Sequence, residues 1–188
     1  MHIKSKPLKF IISIVVCQMA GVIGSLFTAP AINTWYATLQ RPIFAPPNWI
    51  FGPAWITLFF LMGIAAYLVW IKWPENKNSK TALIIFDIHL VLNILWSFLF
   101  FKLQNPLYAF IEIIVLWVFI LITIILFCKI SKPAGLLLIP YILWVSFAGV
   151  LNYSFWQLNN LSKTETSITQ TPAGNDLIIL LNTMTLWK

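Results

Sequence analysis

Apolar positions in this chain fall in long runs with few polar interruptions, over residues 10–29, 50–71, 82–101, 107–128 and 134–158. An α-helix rises about 1.5 Å per residue, so about 20 residues cross the ~30 Å hydrocarbon core of a bilayer. Each run meets that length, and none shows the two-residue alternation of a membrane β-barrel. The pattern predicts an all-α integral membrane protein, a five-transmembrane-helix bundle. The first run follows Lys4, Lys6 and Lys9, as a secretory signal would. It exceeds the ~7–15 apolar residues of a signal core and is read as a retained span.

The polar gaps set the topology. Residues 30–49 form one long connection holding Tyr36, Arg41 and Trp49 together with Pro42, Pro46 and Pro47. Prolines fix φ and remove amide donors, which predicts an ordered, largely non-helical cover, with Arg41 tying it down. The gaps at 72–80, 102–105 and 129–132 are short, which makes successive spans antiparallel neighbours. Lys4, Lys6, Lys9, Lys72, Lys77, Lys80, Lys129 and Lys132 fall on one side, and Arg41, Lys102 and Lys163 on the other, with Lys188 too far from a span to count. The positive-inside rule places the N-terminus in the cytoplasm, and the first connection and the C-terminus on the opposite side. Past residue 160 the chain turns polar, so a transmembrane domain over 1–160 and a flexible tail over 161–188 are expected. A short apolar stretch, 177–181, lies near the end of that tail.

Composition sharpens this picture. Hydrophobic residues make up 60% of the chain and charged residues 9%. Soluble domains carry about 25% charged residues, so a water-soluble globule is excluded. The net charge of +7 sits in the gaps between spans, where membrane topology explains it, and no nucleic-acid partner is expected. Cys17 and Cys128 show no metal or redox spacing and are read as buried thiols. The anomaly is ten tryptophans, several of them mid-span, beyond what interfacial belts require.

No nucleophile elbow, zinc-protease, Walker or dinucleotide motif occurs, so neither a conventional catalytic site nor a required cofactor is expected. The only histidines are His2 and His89, and no metal site is expected. Polar and aromatic residues inside the spans are the pointers, because polarity at membrane depth is costly. His89, Asn93, Trp96 and Phe100 share one helical face, as do Trp144, Ala148, Leu151 and Phe155, with Asn152 beside them. Trp55, Phe59, Met62 and Ala66 form a third such face. These faces either line one apolar cavity with sparse polar anchors or pack helix against helix. His89 is expected to hydrogen-bond a neighbouring helix, and Glu112 to be solvated near the outer interface. Gly21, Ser25 and Ala29 share a face suited to close helix packing.

One stretch is distinctive: Trp35-Tyr36-x-x-Leu39-x-Arg41-Pro42-x-Phe44-x-Pro46-Pro47-x-Trp49-x-Phe51-Gly52-Pro53-x-Trp55. It closely resembles the tryptophan-rich sensory protein family, TspO, also called translocator protein or peripheral-type benzodiazepine receptor. The match continues through Met62-Gly63-x-Ala65, Leu92-Asn93-x-x-Trp96-Ser97 and Pro140-Tyr141-x-x-Trp144-x-x-Phe147-Ala148-x-x-Leu151-Asn152. The resemblance implies a five-helix bundle, often a homodimer, with a pocket under the first connection that binds porphyrin, haem or other tetrapyrroles. Sterols and synthetic benzodiazepine-type ligands are implied for some members. The sterol pattern of Leu/Val, Tyr and Lys/Arg is approached here only by Leu61, Tyr67 and Lys72.

Carried over by motif, the ligand-binding residues are Tyr36, Trp49, Trp55, Phe59, Asn93, Trp96, Trp144 and Ala148. The implied function is a tetrapyrrole-binding sensory or transport-related membrane protein. The implied alternative is light-dependent protoporphyrin degradation, with Trp55 and Trp144 as the catalytic residues.

Overall fold

The structure, a computed structural model, describes residues 5–169 apart from Pro74, with side chains described to Leu161. Among these residues, five helices are long and apolar enough to cross a membrane. The first, α1 (Lys6–Ile32), is followed by a single turn, α2 (Trp35–Thr38). A tight turn at Asn48–Ile50 opens α3 (Phe51–Trp70), and α4 (Asn78–Ser97) runs on into a widened turn at Phe98–Lys102. Next comes α5 (Pro106–Ile130), then the short α6 (Lys132–Leu136) and α7 (Ile139–Thr169). Among the described residues there is no strand.

Local chemistry explains several of these ends. Pro106 begins α5, where its missing amide costs nothing, and the Asn105 side chain accepts from the Tyr108 amide at 3.1 Å. The widened turn closes with the Leu103 amide on the Phe98 carbonyl at 2.9 Å, one residue wider than an α-turn. Two boundaries differ from expectation. Pro30 lies inside α1, which continues to Ile32, so the connection is three residues shorter at that end than a proline stop implied. Near a helix end the lost hydrogen bond is tolerated, and Thr34 Oγ1 donates to the Pro30 carbonyl at 2.9 Å. The expected boundary at 160 also carries no break, because α7 runs on to Thr169. The tail beyond it, with 177–181, lies outside the described residues.

Packing runs α3–α1–α4–α5–α7, with α6 wedged between α5 and α3. α1 crosses α3 closely: a Cβ on Gly63 would stand 2.9 Å from Ile14 Cα. Small residues allow such approach, which is how helices associate when lipid supplies no hydrophobic drive. By contrast, α3 and α7 meet through large rings: Phe51 lies 5.8 Å from Trp144, and Trp55 lies 6.3 Å from Tyr141. Met62, Val69, Phe86, Phe127 and Tyr141 fill the core. Leu26, Val91 and Leu143 face outward, as apolar residues in lipid do. Cys17 is fully buried, and Cys128 packs where a Cβ on Gly135 would overlap its sulfur, so both thiols act as packing atoms.

Candidate functional site

Small residues on one side and large rings on the other leave a cavity of about 550 Å³ between α1, α3, α4 and α7, beneath the first connection. On α1 the wall is Gly21, Gly24, Ser25 and Ala29, so the stripe read as a packing face lines open space over much of its length. Part of it does pack: a Cβ on Gly21 would meet the Phe59 ring at 2.7 Å. The widened turn at the end of α4 brings two successive rings, Phe100 and Phe101, to the same wall, a use to which such turns are often put.

All eight residues carried over by motif line this one cavity. Trp55 and Phe59 come from α3, stacked at 5.5 Å. Asn93 and Trp96 come from α4, with Trp96 stacked on Phe100 at 5.3 Å. Trp144 and Ala148 come from α7, together with Leu151, Asn152 and Phe155. Tyr36 is buried under the cover, 5.3 Å from the Phe155 ring, whereas Trp49 is 73% exposed at the mouth. Of the third face predicted, Met62 and Ala66 are core residues and do not reach the cavity.

Few polar groups are left free. Trp96 Nε1 donates to Asn152 Oδ1 at 3.0 Å, and Asn152 Nδ2 donates to the Pro106 carbonyl at 2.7 Å. Gln18 Nε2 donates to the Ile56 carbonyl, and Ser25 and Thr28 return their hydroxyls to α1 carbonyls. Trp144 Nε1 is buried with no partner among the described residues. Among the described residues, no Asp, Glu, Lys, Arg or His lines the cavity. The site is thus a neutral aromatic slot with a few directed polar atoms, the usual character of a small-molecule site.

Arg41 ties the cover down as expected, but the cover is less purely non-helical than its prolines implied, since it holds the helical turn α2. Arg41 Nη1 donates to Asn48 Oδ1 and Nη2 to the Pro46 carbonyl, both at 2.9 Å. Its guanidinium sits 5.6 Å from the Tyr36 ring centre. A reciprocal pair ties the connection to α7: the Gln40 amide donates to Asn159 Oδ1 at 2.9 Å, and Asn159 Nδ2 to the Gln40 carbonyl at 3.1 Å. Burial pushes the Tyr36 phenol above its ordinary range, with Arg41 pulling the other way, so Tyr36 keeps its proton at neutral pH.

Two intramembrane groups behave differently. His89 is fully buried and pairs with α5 as expected, its Nδ1 lying 3.2 Å from Thr123 Oγ1. Glu112 contradicts the solvated reading: it is 7% exposed, and neither oxygen has a partner among the described residues. The register of α5 on α7, fixed by Trp117 Nε1 on Ser146 Oγ and by Phe110 against Tyr153, turns Glu112 inward. The described residues hold no group of three side chains able to bind a metal. Sequence reasoning also missed Phe51, Ser97 and Phe101 on the wall. Only the widened turn exposes the last of these, and no residue pattern announced that turn.

The sequence pattern of the TspO/MBR family matches residues 13–157, which includes the cover and every wall residue named. The chain belongs to the TspO/MBR family. Among its relatives is "Tryptophan-rich protein TspO" of Archaeoglobus fulgidus, 45% identical over 154 residues, 81% of this chain and 97% of that protein. "Translocator protein" of Bos taurus is 33% identical over 148 residues, covering 78% of this chain and 88% of the bovine one. "Tryptophan-rich sensory protein" of Cereibacter sphaeroides is 31% identical over 150 residues, 80% and 90% of the two chains. The TspO/MBR assignment and the five membrane-length helices make this an integral multi-pass membrane protein in contact with the lipid bilayer.

Proposed function

We propose that this TspO/MBR protein binds a tetrapyrrole in the aromatic cavity under the first connection and serves as a sensory or transport-related membrane protein. The carrying observation is the cavity itself: about 550 Å³, walled by Trp55, Phe59, Trp96, Phe100 and Trp144, and covered by an ordered segment. A flat macrocycle gains from offset and edge-on contacts with such rings, each worth about 0.5–1.5 kcal/mol beyond burial. Porphyrin or haem is the proposed ligand class. Among the described residues, a haem iron would find no histidine, cysteine or methionine on this wall. Sterols and benzodiazepine-type ligands are the competing occupants, and a homodimer with a cytoplasmic N-terminus is the proposed assembly.

The test is a titration of protoporphyrin into protein held in lipid nanodiscs, read by tryptophan fluorescence in the dark. Saturable quenching near one ligand per chain supports the reading, and linear, unsaturable quenching overturns it.

A second reading is light-dependent protoporphyrin breakdown. Its support is that Trp55 and Trp144, the two oxidisable indoles it invokes, both stand on the cavity wall. Illumination of the bound complex then bleaches the porphyrin bands and yields a new product. Trp144→Phe lowers that rate much more than it lowers affinity. Stable bands under light exclude this reading and leave binding intact.

A further inference from the structure

We propose that the cavity is filled from within the bilayer, through a gap between the cover-side halves of α1 and α3, and that its ligand is a lipid-dissolved tetrapyrrole whose alkyl chain stays in that gap. This rests on the reading of the cavity as a tetrapyrrole site. The deep wall is closed: Phe59, Asn93, Phe100, Leu151, Asn152 and Phe155 are all buried. Among the described residues, every exposed one of the wall lies on α1 or between Asn48 and Ile56.

The gap follows from the way the two helices diverge toward the cover. Far from the cover they touch: a Cβ on Gly63 would meet the Ile14 backbone, 2.9 Å from Cα and 3.2 Å from N. Nearer the cover, side chains span the distance instead. Gln18 Nε2 donates to the Ile56 carbonyl at 3.0 Å, and the Phe59 ring fills the space beside Gly21. Beyond them a Cβ on Gly52 would meet nothing within 4 Å. On α1, Gln18, Val22, Ser25 and Ala29 follow one another at helical spacing along one stripe, and all four line the cavity. Val22 is 50% exposed, and Ile56 on the α3 side is 63% exposed. Such residues are cavity wall and outer surface at once, which is what a lateral opening requires. Val22 lies ten residues before the end of α1 at Ile32, about 15 Å along the helix axis. In a hydrocarbon core of about 30 Å, the deeper part of the opening faces acyl chains and not water.

The chemistry of the rim suits hydrocarbon. Ser25 returns its hydroxyl to the Val22 carbonyl at 2.7 Å, Thr28 returns its own to the Gly24 carbonyl at 3.1 Å, and the Gln18 amide is held by Ile56. An ionised carboxylate placed there would lose its water and meet no cation among the described wall residues, a cost that nothing at the rim offsets. An alkyl chain loses nothing by lying against Val22, Ala29 and Ile56, because lipid tails are as apolar as these side chains. A flat macrocycle can thus lie against the rings while a chain attached at its edge runs out between α1 and α3 into the leaflet.

The test uses two uncharged probes with the same macrocycle, protoporphyrin dimethyl ester and protoporphyrin methyl octadecyl ester. Each is titrated into wild-type protein in nanodiscs, with affinities expressed per mole of lipid so that partitioning cancels. Saturable quenching by both is expected, with affinities within about threefold of each other. Val22→Phe narrows the gap from the α1 side and Ile56→Phe from the α3 side, and circular dichroism reports which variants are folded. A fall of at least about tenfold in the octadecyl-to-dimethyl affinity ratio, in either folded variant, supports the inference. An unchanged ratio in both overturns it, because the chain then leaves by another route and the gap holds only lipid. Saturable binding of the dimethyl ester alone by wild type also overturns it, since the cavity is then enclosed, while the tetrapyrrole reading stands. Absence of saturable binding by both probes overturns the two readings together.

Discussion

Three glycines face different surroundings, and a Gly→Ala series at them tests how the bundle is packed. At Gly52, in the first turn of α3, an added Cβ meets nothing within 4 Å. The substitution there collects only the helix-propensity gain, at most about 1 kcal/mol. At Gly21 the Cβ meets the Phe59 ring at 2.7 and 2.8 Å. That ring is buried and stacked on Trp55, so it yields only by pushing into the cavity. At Gly63 the Cβ meets Ile14 Cα at 2.9 Å and Ile14 N at 3.2 Å, which is backbone and cannot rotate away. Overpacking costs about 1–3 kcal/mol, and backbone contact belongs at the upper end, so the net loss is about 2 kcal/mol once propensity is returned. For a chain of this size that lowers Tm by roughly 4–8 °C. The assay is thermal unfolding in one detergent, followed by helical circular dichroism. The expected order of stability is Gly52→Ala, wild type, Gly21→Ala, Gly63→Ala. A Gly63→Ala protein that melts with wild type would refute the close crossing of α1 on α3, and with it the width assigned to the cavity.

Arg41→Gln removes the bonds to Asn48 and Pro46 and the contact with Tyr36, so amide exchange over 39–50 should quicken at least about tenfold while the spans stay protected; unchanged exchange would show the prolines alone hold the cover. Cysteines placed at exposed Thr38 and Asn78, with Cys17 and Cys128 replaced by Ser, should label from opposite faces of the membrane, Asn78 from the cytoplasm; labelling from one face would overturn the span count. Glu112→Met replaces an unpartnered buried carboxyl with an apolar chain of similar length and should match or exceed wild-type stability, by up to about 2 kcal/mol; a loss larger than 1 kcal/mol would reveal a partner for the carboxyl.

What the sequence made legible follows from period and length. Long apolar runs fix spans because lipid forces every backbone group into a helix, so all five were readable without any tertiary knowledge. The same residue-level logic found Arg41 as the tie of the cover, since a proline-rich connection needs a donor to its carbonyls. It failed where an outcome depends on a neighbouring helix. Glu112 sits a turn or so into α5, where solvent would be expected, and only the register of α7 buries it. Gly21 and Ser25 resemble a packing stripe on their own helix, and only the rings of α3 and α7 prop the space open beside them. Pro30 reads as a stop, yet α1 passes through it because a helix end tolerates the missing donor. The three aromatic faces could not be separated from ordinary packing by spacing alone. Met62 and Ala66 on one of them are indeed packed, while Trp55 and Phe59 on the same face are cavity wall.

The central claim is that the cavity of the TspO/MBR bundle is the ligand site. Ala148 tests it most directly, because it is a small wall residue beside Trp144 with no hydrogen-bonding role. Ala148→Leu fills part of the slot, at a packing cost of about 1–3 kcal/mol if neighbours must shift. Protoporphyrin is titrated into wild type and Ala148→Leu in the same nanodiscs, with circular dichroism confirming that both are folded. The account predicts saturable binding by wild type and an affinity at least about tenfold weaker in the variant. Equal affinity in a folded Ala148→Leu protein would contradict it, because the porphyrin would then be bound somewhere other than this cavity.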